Sequence, residues 1–167
     1  VRERGLRTDQ TTLFVVDGSK ALTAAIRRVW GDKALIQRCR AHKLRNVDAY
    51  LPKQHRTEIL TRIRSAYAEP DYAKAKKELQ ATVRRLAQIA PAAAASLAEG
   101  LEETLTVTRL QIPQKLRRGL ATTNVVENAF SRVRTICGRV KRWKPGMRLR
   151  WCSAALLEAE KTFKRLW

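Results

Sequence analysis

The chain has 167 residues, of which 35 are Lys or Arg and 15 are Asp or Glu, giving a formal net charge of +20. That length fits one domain, or one domain carrying an insertion, and 44% hydrophobic residues are enough to build a core, which excludes wholesale disorder. Every apolar run falls short of a membrane span, and no charged leader followed by an apolar stretch opens the chain, so no export signal is expected.

Thr11 to Val16 is a short β-branched and aromatic run, predicted to be a buried strand ending at the turn Asp17-Gly18. Ser19 is placed to cap a helix with the apolar face Leu22, Ala25, Ile26, Val29 and Trp30, and Gly31 to stop it. Ala34 to Arg38 reads as a second strand, followed by a helix from about Ala41 to Tyr50 that ends before Pro52. This strand–helix–strand–helix alternation predicts parallel pairing.

From Gln54 to about Leu105 the pattern is helical throughout. One helix presents Ile59, Leu60, Ile63 and Tyr67, and a second presents Tyr72, Ala75, Leu79, Val83, Leu86 and Ala90. A third starts at Pro91 and bears Leu97, Leu101 and Leu105. Thr122-Thr123-Asn124 opens a further helix to about Cys137, with Val126, Ala129, Phe130, Val133 and Ile136 as its apolar face. Residues 138–146 form a basic, turn-rich tail around Trp143, and a last helix runs from about Leu149 to Leu166. The expected class is α/β and helix-rich overall. Residues 54–110 form a helical insertion between residues 1–53 and 111–167.

The charge is unevenly spread. Residues 1–50 carry a net +6, residues 51–106 a net +2 and residues 107–167 a net +12. Two basic flanks around a near-neutral middle attract polyanions, and +20 exceeds what solubility asks for. Nucleic acid is the expected partner. Arg132, Arg134, Arg139, Lys141, Arg142 and Lys144 are candidate phosphate contacts, and Trp143 stands among them. Aromatics interleaved with cations can stack on unpaired bases while neutralising phosphates, or can simply pack under arginine stems.

Two acids stand out. Asp17 follows a predicted strand, where ligand-binding residues gather in open α/β sheets, although Asp-Gly there is commonly only a turn. Glu127 is the only acid between Thr104 and Leu157. With Asn124 it has capping-box spacing, a structural role open to it alongside any chemistry. The chemical alternative is chelation: carboxylates converging from different elements hold the two hard cations that phosphodiester cleavage uses. Cys39 and His42 form a Cys-x-x-His pair, which as half a zinc site would need two more ligands. The other reading is a buried thiol and imidazole at a strand–helix junction. Cys39, Cys137 and Cys152 are three cysteines at wide spacing and make no disulfide framework, so a reducing cytosol is expected.

Asp17 to Leu22, Cys39-x-x-His42, Ala121 to Asn128 with its Asn124, and Lys141-Arg142-Trp143 followed by Leu149-Arg150-Trp151 resemble, in order along nearly the whole chain, the Mutator-type transposases of prokaryotic insertion sequences. The resemblance implies a partial RNase H-like core interrupted by the helical insertion. It also implies a DDE triad binding two Mg²⁺ or Mn²⁺ ions that cuts and joins DNA in transposition. Asp17 would match the second Asp and Glu127 the Glu. The first Asp would lie upstream of Val1, so the chain would be a C-terminal part, inactive alone. Implied partners are the terminal inverted repeats, target DNA and further copies of the complete transposase, all in the cytoplasm at the nucleoid. Cys39, His42 and Asn124 are signature positions whose role is structural or close to DNA. The alternative is a non-catalytic basic DNA-binding module.

Overall fold

A computed structural model describes residues 5–138, 140, 142–144 and 146–163. Arg139 and Lys141 lie outside the described residues, as do residues 164–167; the last helix, expected from about Leu149 to Leu166, instead runs over Met147–Glu160 and gives way to a turn at residues 161–162. The chain divides into two units, residues 1–122 and 123–167.

The first unit opens with strand β1 (Thr12–Val16), helix α1 (Lys20–Trp30) and strand β2 (Ala34–Arg38). The two strands pair in parallel, from Thr12 opposite Ala34 to Val16 opposite Arg38, as the alternation predicts. The Ser19 hydroxyl caps α1 by accepting from the Leu22 amide, and Gly31 ends it with φ 57°, a left-handed value that favours glycine. The expected apolar face of α1 is only partly used. Ile26 is buried with Val16 and Ile36, Phe14 packs edge-to-face on Trp30 at 4.7 Å, and Leu22 is 48% exposed. A two-stranded sheet covers too little surface to bury the whole helix face.

Most of the core is helical. It is built by α2 (Arg40–Asp48), α3 (Lys53–Ala68), α4 (Tyr72–Ile89) and α5 (Pro91–Ala98). Ile59, Ile63, Leu79, Leu86, Leu97 and Leu105 are essentially inaccessible, and burial of each such side chain stabilises by about 1.5–3 kcal/mol. The spacing read from the sequence holds for α3 and α4. The third helix is shorter than expected, because Gly100 takes φ 62° and breaks it. Leu101 and Leu105 are buried all the same, with Leu105 at the end of a 3₁₀ turn over Glu102–Leu105. Two short helices not anticipated from sequence follow, α6 (Thr106–Arg109) and α7 (Gln114–Leu120).

The second unit is a pair of packed helices, α8 (Asn124–Cys137) and α9 (Met147–Glu160). Its core is slight: among its described residues, Ala155 and Ala159 are the buried ones. The predicted apolar face of α8 is not sealed. Val126 is 55% and Phe130 52% exposed, and Ile136 lies at the edge of exposure. One partner helix covers only part of a stripe that spans several rows of side chains.

Candidate active site and nucleic-acid interface

Asp17 stands immediately after β1, exposed, and its Oδ1 accepts from the Ser19 amide at 3.0 Å. That bond shapes the turn into α1. Gly18 is required there: φ is 108°, and a Cβ would sit 2.8 Å from Arg38 Nε. Arg38, the last residue of β2, lies between Gly18 and Gly100, where a Cβ would come within 2.7 Å of Nη1. Its guanidinium donates to the Glu99 carbonyl at 3.1 Å and to Glu99 Oε2 at 3.0 Å. Arg38, then Lys20, hold the Glu99 carboxyl below its ordinary range. The strand end bearing Asp17 is thus braced by the C-terminus of α5. A hollow of about 270 Å³ opens beside this brace, but its cations Lys20, Arg27 and Arg38 are matched by Glu99 and Glu103. It is a charge-paired seam, not a phosphate receptor.

Cys39 is fully buried at the start of α2. Its amide donates to the Val16 carbonyl at 2.7 Å, and the next amide, Arg40, donates to the Ala121 carbonyl at 2.9 Å. Adjacent amides therefore hold the residue before Asp17 and the residue that leads into Thr122-Thr123-Asn124. His42 Nδ1 lies 3.3 Å from Cys39 Sγ. Among the described residues no three His, Cys, Asp or Glu side chains gather as a metal site.

The residues around this junction were not singled out from sequence. Arg40 is buried and donates to the Tyr67 carbonyl (2.9 Å), the Thr104 carbonyl (2.8 Å) and the Thr108 hydroxyl (2.8 Å), with its guanidinium over the Tyr67 ring. Burial pushes its guanidinium down from the usual arginine range to about 10. Lys43, also buried, donates to the Ser96 and Glu99 carbonyls that end α5. Burial, then the Arg38 charge, push its ammonium down to about 8. Gln37 joins β2 to the next segment, donating to the Thr104 carbonyl and accepting from the Val107 amide. A usable signal was present: Arg40, Lys43 and Val47 share one face of α2 by helical spacing, and Val47 is the apolar one.

In the second unit, Glu127 is exposed on the first turn of α8. The predicted capping box is altered. Thr123, not Asn124, occupies the cap position, and its hydroxyl donates to Glu127 Oε1 at 2.6 Å. Asn124 is the first helical residue, exposed. Arg132 and Arg134 are exposed along α8. Arg142 and Lys144 are exposed in the connection, and Trp143 is half-buried there, edge-to-face with Trp151 of α9 at 6.4 Å. Asp17 and Glu127 supply hard oxygen donors of the kind Mg²⁺ takes. Asp17 belongs to the first unit and Glu127 to the second.

A family profile described as "Transposase, Mutator family" matches residues 1–162. The chain belongs to this family. It is 33% identical over 134 residues to a protein described as the transposase for insertion sequence element ISRM5 of Rhizobium meliloti (strain 1021). The match covers 80% of this chain and 33% of that relative, so the chain spans about a third of the relative's length. No solved structure matches the chain. Among the described residues, no helix is long and apolar enough to cross a membrane.

Proposed function

We propose that the chain is the C-terminal part of the catalytic region of a DNA transposase, which cuts and joins phosphodiester bonds during transposition. Asp17 and Glu127 act as two of three carboxylates that hold divalent cations. Bound Mg²⁺ or Mn²⁺ would polarise the attacking and leaving oxygens. The chain's own residues position that chemistry. Arg38 and Gly18 shape the turn that presents the Asp17 carboxylate. The amides of Cys39 and Arg40 hold the carbonyls of Val16, at the end of the Asp17 strand, and of Ala121. The match of residues 1–162 to this family is the observation that carries the reading. The basic residues of 107–167 bind the DNA ends and target, and complete transposases act as oligomers in the cytoplasm.

In this reading residues 1–53 and 111–167 belong to an RNase H-like core, and residues 54–110 are its helical insertion. Among the described residues β1 has a strand on one side only. A strand carrying the first catalytic Asp would pair with its other edge, because an unpaired edge presents a row of free backbone donors and acceptors.

A second reading, a DNA-binding module without catalysis, draws on the Thr123–Glu127 bond, which makes Glu127 a helix-start residue. One experiment separates the two. In a full-length transposase containing this chain, Asp17→Asn and Glu127→Gln each abolish Mg²⁺-dependent cleavage of the terminal repeats and leave DNA binding intact. Cleavage retained in either variant refutes the assignment of that residue. This chain alone binds DNA and performs no strand transfer, and cleavage by it would overturn the three-carboxylate account.

A further inference from the structure

The second unit holds two tryptophans in a place its core does not explain. The residues buried between α8 and α9, Ala155 and Ala159, lie one and two turns beyond Trp151. The Trp143–Trp151 pair therefore sits toward the loop end of the helix pair. Trp151 is 41% exposed, and the ring planes meet at 71° with centroids 6.4 Å apart. An edge-to-face pair occupies one face of one ring and one edge of the other. The pairing leaves Trp151 partly exposed.

The surroundings are of one sign. Arg142, Lys144, Arg148 and Arg150 are all exposed, and none has an ion-pair partner among the described residues. Arg148 precedes Trp151 by one helical turn. No acid occurs in the sequence from Asn128 to Leu157. A face built for solubility mixes signs. This one sets a partly exposed tryptophan pair close in sequence to exposed cations of one sign, the combination that takes bases by stacking and phosphates by charge.

We propose that Trp143 and Trp151 form a stacking site for an unpaired base, so that this unit engages single-stranded or frayed DNA, with Arg142, Lys144, Arg148 and Arg150 neutralising the flanking phosphates. The proposal rests on the reading of the chain as a DNA-acting protein and adds which form of DNA this unit takes.

The test is fluorescence anisotropy of this chain with a labelled single strand, the matching blunt duplex, and the duplex with a single-stranded overhang. The single strand and the overhang bind more tightly than the blunt duplex. Trp151→Leu and Trp143→Leu, which keep apolar bulk and lose the aromatic face, each weaken single-strand binding about tenfold. They leave blunt-duplex binding within about twofold, which also serves as the control for folding. Trp151→Phe and Trp143→Phe recover most of the loss. Arg148→Gln and Arg150→Gln weaken both forms alike and flatten the salt dependence. Equal loss on duplex and single strand, or no effect of the tryptophan changes, overturns the stacking site while the DNA-binding reading stands. Failure to bind any of the three DNAs overturns both.

Discussion

Replacing Arg40 tests whether the Cys-x-x-His signature marks a structural junction. Arg40→Met leaves the Tyr67 carbonyl and the Thr108 hydroxyl without this donor, at about 1–3 kcal/mol each when buried. The Thr104 carbonyl keeps Gln37 as a donor, so its loss is smaller. The contact of the guanidinium with the Tyr67 ring, 4.8 Å from its centroid, contributes about 1 kcal/mol more. These costs come to roughly 6 kcal/mol. Against them stands relief of desolvation: a pKa pushed down to about 10 from the usual arginine range corresponds to roughly 3.5 kcal/mol. The expected net loss is about 3 kcal/mol. Arg40→Lys should lose nearly as much, because a single ammonium cannot serve three acceptors set out for a planar fork. Urea unfolding followed by far-ultraviolet circular dichroism reads this as a midpoint lowered by about 1.5 M at a slope near 2 kcal/mol per molar. Both variants within about 0.5 kcal/mol of the unmodified chain, the usual range for surface changes, would show that the hydrogen bonds of Arg40 do not pin the junction.

Three more outcomes are expected. The Lys43 ammonium titrates at about 8 in the folded chain and near 10.5 once unfolded, so between those values the unfolded state binds more protons and stability rises with pH. Lys43→Met removes that rise, and parallel pH–stability curves for the two chains would refute it. A thiol titration under native conditions counts Cys137 and Cys152, which are half-buried, and omits Cys39, which appears only in denaturant; three fast-reacting native thiols would contradict the burial. Neutralising Arg139, Lys141, Arg142 and Lys144 together weakens binding to all DNA sequences alike and lowers the salt slope by about 0.9 for each phosphate no longer neutralised. An effect confined to one sequence would mean that these residues read bases.

The sequence by itself determined most of the longer elements and the field. Periodicity placed β1, β2, α3 and α4, because apolar residues at spacings of two and of three to four have a single geometry that buries them together. Composition located the basic end, because charge is additive along a chain. The motifs at Asp17, Cys39 and Ala121 to Asn128 led to the family. Tertiary structure decided what periodicity cannot encode. It turned Gln37, Arg38, Arg40 and Lys43, four polar residues that composition would assign to the surface, into the joint between the strands and the helices that follow them. It left the apolar stripe of α8 half open and ended α5 early at Gly100. A buried cation is tolerated where acceptors from distant segments converge on it, here carbonyls, a hydroxyl and the Glu99 carboxylate. That convergence involves residues some sixty positions apart, beyond the reach of any local pattern.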